Sequence, residues 1–441
     1  MKRLLSLLLC AVLALFCATT VQAASVSITL TASEYALHYA FDAGAQDPFV
    51  ILEYATPAEK GWMMLYSADG HFEGDVSLAY SGAGGKTSVA LTSARTTGSI
   101  GKASTTLPKA ADYQKPTGKS NAKVTDFVLT ETPEGFHYAF NAIGTDYMLL
   151  YWRSKEQTVT QPVYPDENGH YEGDVVSELT FARTQFTVQV KSGSGSMKKE
   201  ATVRKGYQAP EAPQRQEGRL SGVTVCIDAG HQENGRFVNE PIGPGLTGST
   251  SGKGGMAQGT KTNRRESIVC LEIGMLLRDE LLRQGANVVM TREDQTTFHT
   301  NIERCEIAEA GGAQIMLRLH CNNSSNRSKR GIQVYGPLNS DYAKAVADAD
   351  TYREMGQKLL DAMKTRVGMT LANSTGMVRL NDNYVGNNWA KMMCFLVEMG
   401  YLSNPAEEYL LVTPVYQQWL AEGMADGVYE IAVARGWVQA Q

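Results

Sequence analysis

The chain has 441 residues, a formal net charge of −5 at pH 7, 43% hydrophobic residues and 20% charged residues. That length allows two to four domains of ordinary globular composition. The mildly acidic balance argues against a dedicated nucleic-acid binder.

The amino terminus points to export. Lys2 and Arg3 precede a nearly unbroken apolar run from Leu4 to Phe16, and Val21-Gln22-Ala23 supplies small residues for a signal peptidase. The alternative is a membrane anchor, but 13 residues fall short of the roughly 20 that a span needs. Cys10 and Cys17 lie inside this leader segment, and neither follows the small residue that a lipoprotein site requires. The expectation is a signal peptide over 1–23, no stable membrane anchor after its removal, and an extracellular, wall-associated or periplasmic protein.

Next comes an internal repeat. His38-Tyr39-Ala40-Phe41 recurs as His137-Tyr138-Ala139-Phe140, and Gly70-His71-Phe72-Glu73-Gly74-Asp75-Val76 as Gly169-His170-Tyr171-Glu172-Gly173-Asp174-Val175. Both recurrences keep one offset of 99 residues (38 to 137, 71 to 170), which marks a duplicated module. Alternating runs such as Tyr35 to Phe41 and Phe186 to Val190 read as strands. Asp69-Gly70 and Asn168-Gly169 read as hairpin turns. The prediction is two tandem all-β, sandwich-like repeats at 24–107 and 123–206, with linkers at 108–122 and 207–218.

From Val223 the texture changes. Strands are predicted at Val223–Ile227, Asn287–Thr291, Ile315–Leu319 and Met392–Val397. Helices are predicted at Ser267–Gln284 (closed by Gly285), Ile302–Ala310, Tyr342–Thr365 and Val415–Ala434. Strands alternating with helices predict an α/β domain over 219–441, with a mostly parallel sheet flanked by helices. Five cysteines remain after the leader: Cys226, Cys270, Cys305, Cys321 and Cys394. Their odd number and apolar settings suit buried thiols rather than a disulfide framework.

Four of the seven histidines belong to the repeats. Of the rest, His299 reads as a surface residue. His231 follows the first strand of the α/β half in Asp228-Ala229-Gly230-His231. His320 follows the third, and Glu398 the fourth. Ligand crevices of open α/β sheets lie beyond the carboxyl ends of the strands, so these three project toward one edge. Imidazole and carboxylate are the ligands of catalytic zinc, three with one open position. Glu266, opening a helix, could be the third, or could simply complement the helix dipole.

Asp228-Ala229-Gly230-His231, Glu266 with its helix, Thr291-Arg292, Leu319-His320-Cys321-Asn322 and Val397-Glu398-Met399-Gly400-Tyr401-Leu402-Ser403-Asn404-Pro405 together resemble the zinc-dependent N-acetylmuramoyl-L-alanine amidases of the type-3 family, over about Val223 to Val433. The resemblance implies one Zn2+ held by His231, Glu266 and His320, and Glu398 as the catalytic carboxylate. It implies peptidoglycan as the substrate, cleaved at the amide between muramic acid and L-alanine. The chain departs from the family at Ala229, at Gln232-Glu233, at Cys321 and in a long segment from Asn234 to Thr262, which reads as a surface loop or a lid. Arg292, Asn322 and Trp389 are candidate substrate contacts, each with a plain structural alternative. Two other functions compete: a non-catalytic wall-binding or adhesion protein with a degenerate amidase domain, or another zinc amidohydrolase or carboxypeptidase. The repeats are expected to tether the enzyme to the wall or to act as spacers.

Overall fold

The computed structural model describes residues 26–440 except 35, 58–59, 79–82, 97, 112–121, 133–134, 146–147, 154–157, 177–183, 193–195, 206–209, 233–237, 251–254, 263 and 368–377. The expected signal segment lies outside the described residues. The chain divides into two compact units, Met1–Ala111 and Asp112–Gln441.

The first unit contains β1 (Thr29–Ser33), β2 (Ala36–Asp42), β3 (Phe49–Ala55), β4 (Lys60–Tyr66), β5 (His71–Ser77), β6 (Gly85–Ser93) and β7 (Ser99–Leu107). They form two antiparallel sheets, ordered β1-β2-β5 and β4-β3-β6-β7. Alternation drives the arrangement: Leu37, Tyr39 and Phe41 of β2 point inward with Phe72 and Val76 of β5. They share one core with Val50, Leu52, Val89 and Leu91 of the larger sheet.

The second unit begins with the same design. Its strands are β8 (Lys123–Thr132), β9 (Gly135–Ile143), β10 (Met148–Arg153), β11 (Thr158–Val163), β12 (His170–Val176), β13 (Thr184–Lys191) and β14 (Met197–Lys205). The sheets are ordered β12-β9-β8 and β11-β10-β13-β14, strand for strand the topology of the first module. The interior repeats as well. Phe41 stacks on Phe72 at 4.9 Å, and Phe140 on Tyr171 at 4.6 Å. A Cβ on Gly74 would sit 2.8 Å from the Tyr39 hydroxyl, and one on Gly173 2.7 Å from that of Tyr138. One expectation is corrected here. Asp69-Gly70 joins β4 to β5, and Asn168-Gly169 joins β11 to β12, and in each pair the two strands lie in different sheets. These turns cross between layers; they do not close hairpins. Gly70, at φ +84°, donates its N–H to the Ser67 hydroxyl, and the Asp69 carboxylate accepts from the His71 N–H.

The remaining strands are β15 (Thr224–Ala229), β16 (Asn287–Met290), β17 (Ile315–Asn322), β18 (Gln333–Gly336), β19 (Val378–Leu380) and β20 (Met393–Tyr401). They form one sheet ordered β16-β15-β17-β20-β18-β19. The sheet is mixed: β18 runs antiparallel to β20, while the other neighbouring pairs run parallel. The expectation of a mostly parallel sheet is thus replaced by a mixed one, with β18 as the antiparallel strand.

The helices are α1 (Glu266–Arg283), α2 (Asn301–Ala310), α3 (Asp341–Val346), α4 (Ala349–Val367), α5 (Val385–Trp389), α6 (Glu407–Leu411) and α7 (Pro414–Ala434). Helix α1 packs on β15 and β17, α4 on β18 and β19, and α7 against both α1 and α4. The predicted single helix over Tyr342–Thr365 is broken, because Ala347 is extended at φ −166° and ψ 163°. Helix α2 begins in a capping box, with the Thr300 hydroxyl on the Glu303 N–H and the Glu303 carboxylate on the Thr300 N–H.

Candidate active site

The parallel strands bring the site together. His320 and Glu398 are register partners on β17 and β20, so alternation turns both side chains to the same face. Both lie within their strands rather than just beyond them. His231 follows β15 in a left-handed conformation, φ +57°. Gly230 before it must be glycine: a Cβ there would lie 2.6 Å from the His320 ring and 2.4 Å from the Leu319 carbonyl. Glu266 enters from the first turn of α1.

The Glu266 Oε1 atom lies 3.1 Å from His231 Nε2 and 3.0 Å from His320 Nδ1. The two rings meet edge to face at 4.9 Å. One ligand atom from each of His231, Glu266 and His320 falls within 4.8 Å of the others. Glu266 is buried and held on both oxygens: Oε1 accepts from the Cys321 N–H, and Oε2 from the Ala257 N–H. Burial pushes its pKa up, but hydrogen bonds and charge from the two histidines outweigh that and hold it well below the usual carboxylate range. Burial lowers the pKa of His320, favouring the neutral imidazole that a metal requires.

Glu398 shares the same cavity, of about 500 Å³. Its Oε2 is buried with no hydrogen-bond partner. Burial first, and then the charge of Glu266, push its pKa up to about 8. Two imidazole nitrogens and a carboxylate oxygen converge beside a second carboxylate that lacks a counter-charge. This donor set suits a divalent ion of the zinc type.

Behind the cavity lies a buried charge network. Asp228 is fully buried and binds Arg304, Arg318 at 2.9 Å and the Thr291 hydroxyl at 2.8 Å. Burial opposes its ionisation, but the two guanidinium groups prevail and hold its pKa far below the ordinary range. Arg304 also donates to the carbonyls of Ala229 and His231, which fixes the turn that presents the histidine.

The substrate-contact candidates separate. Asn322 lines the cavity and donates to Gln333 Oε1 at 3.1 Å. Arg292 is 3% exposed and donates to the carbonyls of Ala229, Gly230, Ser267 and Asp294 at 2.7–2.9 Å. That buried fork ties the His231 turn to the first turn of α1, and Arg292 is not among the residues lining the cavity. Trp389 donates to the Pro241 carbonyl at 2.9 Å and packs edge-on against Tyr342, outside the cavity lining. The long segment expected as loop or lid borders the cavity through Val238, Glu240, Thr250, Gly255 and Ala257. Its described parts are fastened. The Glu240 carboxylate accepts from the N–H groups of Asn301 and Ile302 at the start of α2, and Gln258 bridges Arg265. Ala257 and Glu240 were invisible as site residues in the sequence, because their partners lie outside their own segment. All five cysteines of this half are buried free thiols.

Comparison with known proteins gives the family. The Amidase_3 family, N-acetylmuramoyl-L-alanine amidase, matches residues 225–430. The germination-specific N-acetylmuramoyl-L-alanine amidase of Bacillus subtilis is 26% identical over 231 residues, covering 49% of this chain and 83% of that protein. The probable cell wall amidase LytH of Staphylococcus aureus is 27% identical over 218 residues, covering 48% of this chain and 60% of LytH. Among solved structures, an N-acetylmuramoyl-L-alanine amidase from Clostridium difficile 630 aligns over 48% of this chain and 96% of its own, with 23% identity and a TM-score of 0.38. The apo form of Ami1 from Mycobacterium abscessus aligns over 48% and 99%, with 21% identity and a TM-score of 0.44. The C-terminal region of this chain is an amidase domain of the N-acetylmuramoyl-L-alanine amidase family.

Proposed function

We propose that the protein is an exported peptidoglycan hydrolase that cleaves the amide between N-acetylmuramic acid and the first L-alanine of the stem peptide. The observation that carries this reading is the convergence of His231, Glu266 and His320 in one cavity with Glu398, whose buried Oε2 has no hydrogen-bond partner. The family match supports the choice of bond.

His231, Glu266 and His320 would hold one zinc ion. When bound, zinc supplies Lewis acidity toward a carbonyl oxygen and toward water. Glu398 accepts the proton of the attacking water on its carboxylate and returns it to the leaving amine. The buried setting that raises its pKa makes it a stronger base than an exposed glutamate. Glu266 stays ionised as a ligand, because two histidines and two backbone N–H groups favour its charged form. The environments of the two carboxylates thus separate their roles. Asn322 lines the cavity and is proposed as a substrate contact.

The signal segment over 1–23 and the wall-amidase relatives support a cell-wall or periplasmic location. In this reading, modules at 24–107 and 123–206 hold the catalytic domain, 219–441, near its polymer. Digestion of purified peptidoglycan tests the proposal. A new L-alanine amino terminus is expected; release of a reducing sugar or of a C-terminal amino acid instead would refute it.

A further inference from the structure

The duplication allows a comparison inside one chain. Register identifies the equivalent positions of the larger sheets: Val50 pairs with Leu65, and Met148 with Val163. On that basis Val50-Ile51-Leu52-Glu53-Tyr54 corresponds to Met148-Leu149-Leu150-Tyr151-Trp152, with Leu52 and Leu150 the sole identity. Most other positions there have changed freely within hydrophobic character.

The outer face of the small sheet has not. Thr31, His38 and Asp75 form one row, Ala40 and Glu73 the next, and Asp42 and His71 the third. In the second module the rows are Thr130, His137 and Asp174, then Ala139 and Glu172, then Asn141 and His170. The core does not demand this retention, because these residues face away from Tyr39, Phe41 and Phe72. Nor does sheet stability demand it: exposed cross-strand charge pairs contribute about 0.2–1 kcal/mol whichever acid and base supply them.

Both copies share a specific geometry. The outer nitrogen of each imidazole is tied to an oxygen acceptor: His38 Nδ1 to Asp75 at 3.1 Å, His71 Nδ1 to Asp42 at 2.7 Å, His137 Nδ1 to Asp174 at 2.9 Å and His170 Nδ1 to Asn141 at 2.8 Å. The single replacement on this face among these charged groups, Asp42 to Asn141, keeps the acceptor oxygen. Each Nδ1 is thus tied off by an acceptor oxygen, which leaves Nε2 to face the centre of the patch. The Nε2 atoms of each copy flank one carboxylate. His38 and His71 Nε2 lie 3.5 Å from the two Glu73 oxygens; His137 and His170 Nε2 lie 3.2 and 3.8 Å from those of Glu172. Ligands about 2.0–2.1 Å from a tetrahedral zinc ion stand roughly 3.3 Å apart. An imidazole whose far N–H is held by a carboxylate or amide oxygen is the usual outer shell of a metal-binding histidine.

We propose that each β-module carries a metal site in which His38, His71 and Glu73, and in the second copy His137, His170 and Glu172, hold a divalent transition-metal ion of the zinc class. The ligand atoms are looser than those of the catalytic cluster, since they do not all fall within 4.8 Å of one another. The exposed side chains close on the ion by rotation, so these sites bind more weakly than the catalytic one.

The test is a zinc titration of the metal-stripped chain without residues 1–23, followed by calorimetry and by metal content after dialysis against buffered zinc. His38→Ala is expected to bind one equivalent fewer than the parent. His38→Ala combined with His137→Ala is expected to bind two fewer. Counting the difference keeps the result independent of the catalytic site. Glu73→Gln with Glu172→Gln, which keeps the hydrogen-bonding shape of the face, should weaken the same two equivalents at least tenfold. Excess calcium should leave the zinc in place. Equal zinc content in the parent and the double histidine variant overturns the proposal, as does displacement of these equivalents by calcium.

Discussion

His320 on β17 and Glu398 on β20 are register partners on adjacent parallel strands, so one ladder places a metal-ligand candidate and a general-base candidate on the same side of the sheet. Their environments differ. His320 is hydrogen-bonded through Nδ1 to Glu266, whereas the Glu398 Oε2 has no partner. The proposed division of labour, holding a metal against moving a proton, rests on this contrast.

His320→Ala is expected to abolish stoichiometric zinc binding at the catalytic cluster, because two ligands from His231 and Glu266 leave the ion under-coordinated. Metal analysis after dialysis checks this. A variant that keeps the catalytic equivalent would remove His320 from the ligand set.

Asp228 anchors the fold behind the site. Asp228→Asn should cost about 3–5 kcal/mol, the range for removing one partner of a buried ion pair, because Arg304 and Arg318 lose their shared carboxylate. The folded-state pKa of Asp228 is depressed, so its ionised form contributes stability above the ordinary carboxylate range. That contribution fades as pH falls toward the folded value. The gap between parent and variant in chemical denaturation should therefore be wide at neutral pH and narrow in strong acid. A gap independent of pH would contradict the assignment.

Arg292 acts through backbone carbonyls. Arg292→Lys keeps the charge but loses the planar fork that joins the Ala229–Gly230 turn to Ser267. The expected outcome is weaker zinc binding by about 10–100-fold, the usual effect of losing a group that orients ligands, with zinc-saturated KM little changed. A large rise in KM with zinc affinity intact would return Arg292 to the role of substrate contact.

The thiols make a separate test. Cys226, Cys270, Cys305, Cys321 and Cys394 are buried, and burial raises the pKa of every one of them. They should resist alkylation in the folded chain prepared without residues 1–23. After unfolding without reductant, all five should react. Fewer reactive thiols would reveal a disulfide.

Much of this was legible in the sequence because it is local. The runs at Val225–Ile227, Ile315–Leu319 and Met393–Val397, apolar except for Arg318, are buried strands, and such runs read directly as strands. The repeat was legible because both copies keep aromatic and glycine positions whose packing is coupled, as Gly74 is to Tyr39. What escaped is non-local. Strands β18 and β19 are only four and three residues long, too short for a periodic signal, and no local pattern encodes the antiparallel direction of β18. Asp69-Gly70 announces a turn without saying which strands it joins. Arg292 looked like a polar residue at a strand end; the carbonyls it satisfies come from three separate segments. The metal-ligand candidates became visible through order and motif, while their support from Ala257, Cys321 and Arg304 needed the fold.

The most direct test compares zinc content and peptidoglycan turnover in Glu398→Ala and Glu266→Ala. Glu398→Ala should keep its catalytic zinc and its thermal stability while losing turnover by about 100-fold or more, within the 10²–10⁴ typical of general acid–base catalysis. Glu266→Ala should lose both the metal and the activity. If Glu398→Ala loses zinc as completely as Glu266→Ala, or keeps near-parental turnover, the proposed mechanism has the wrong base.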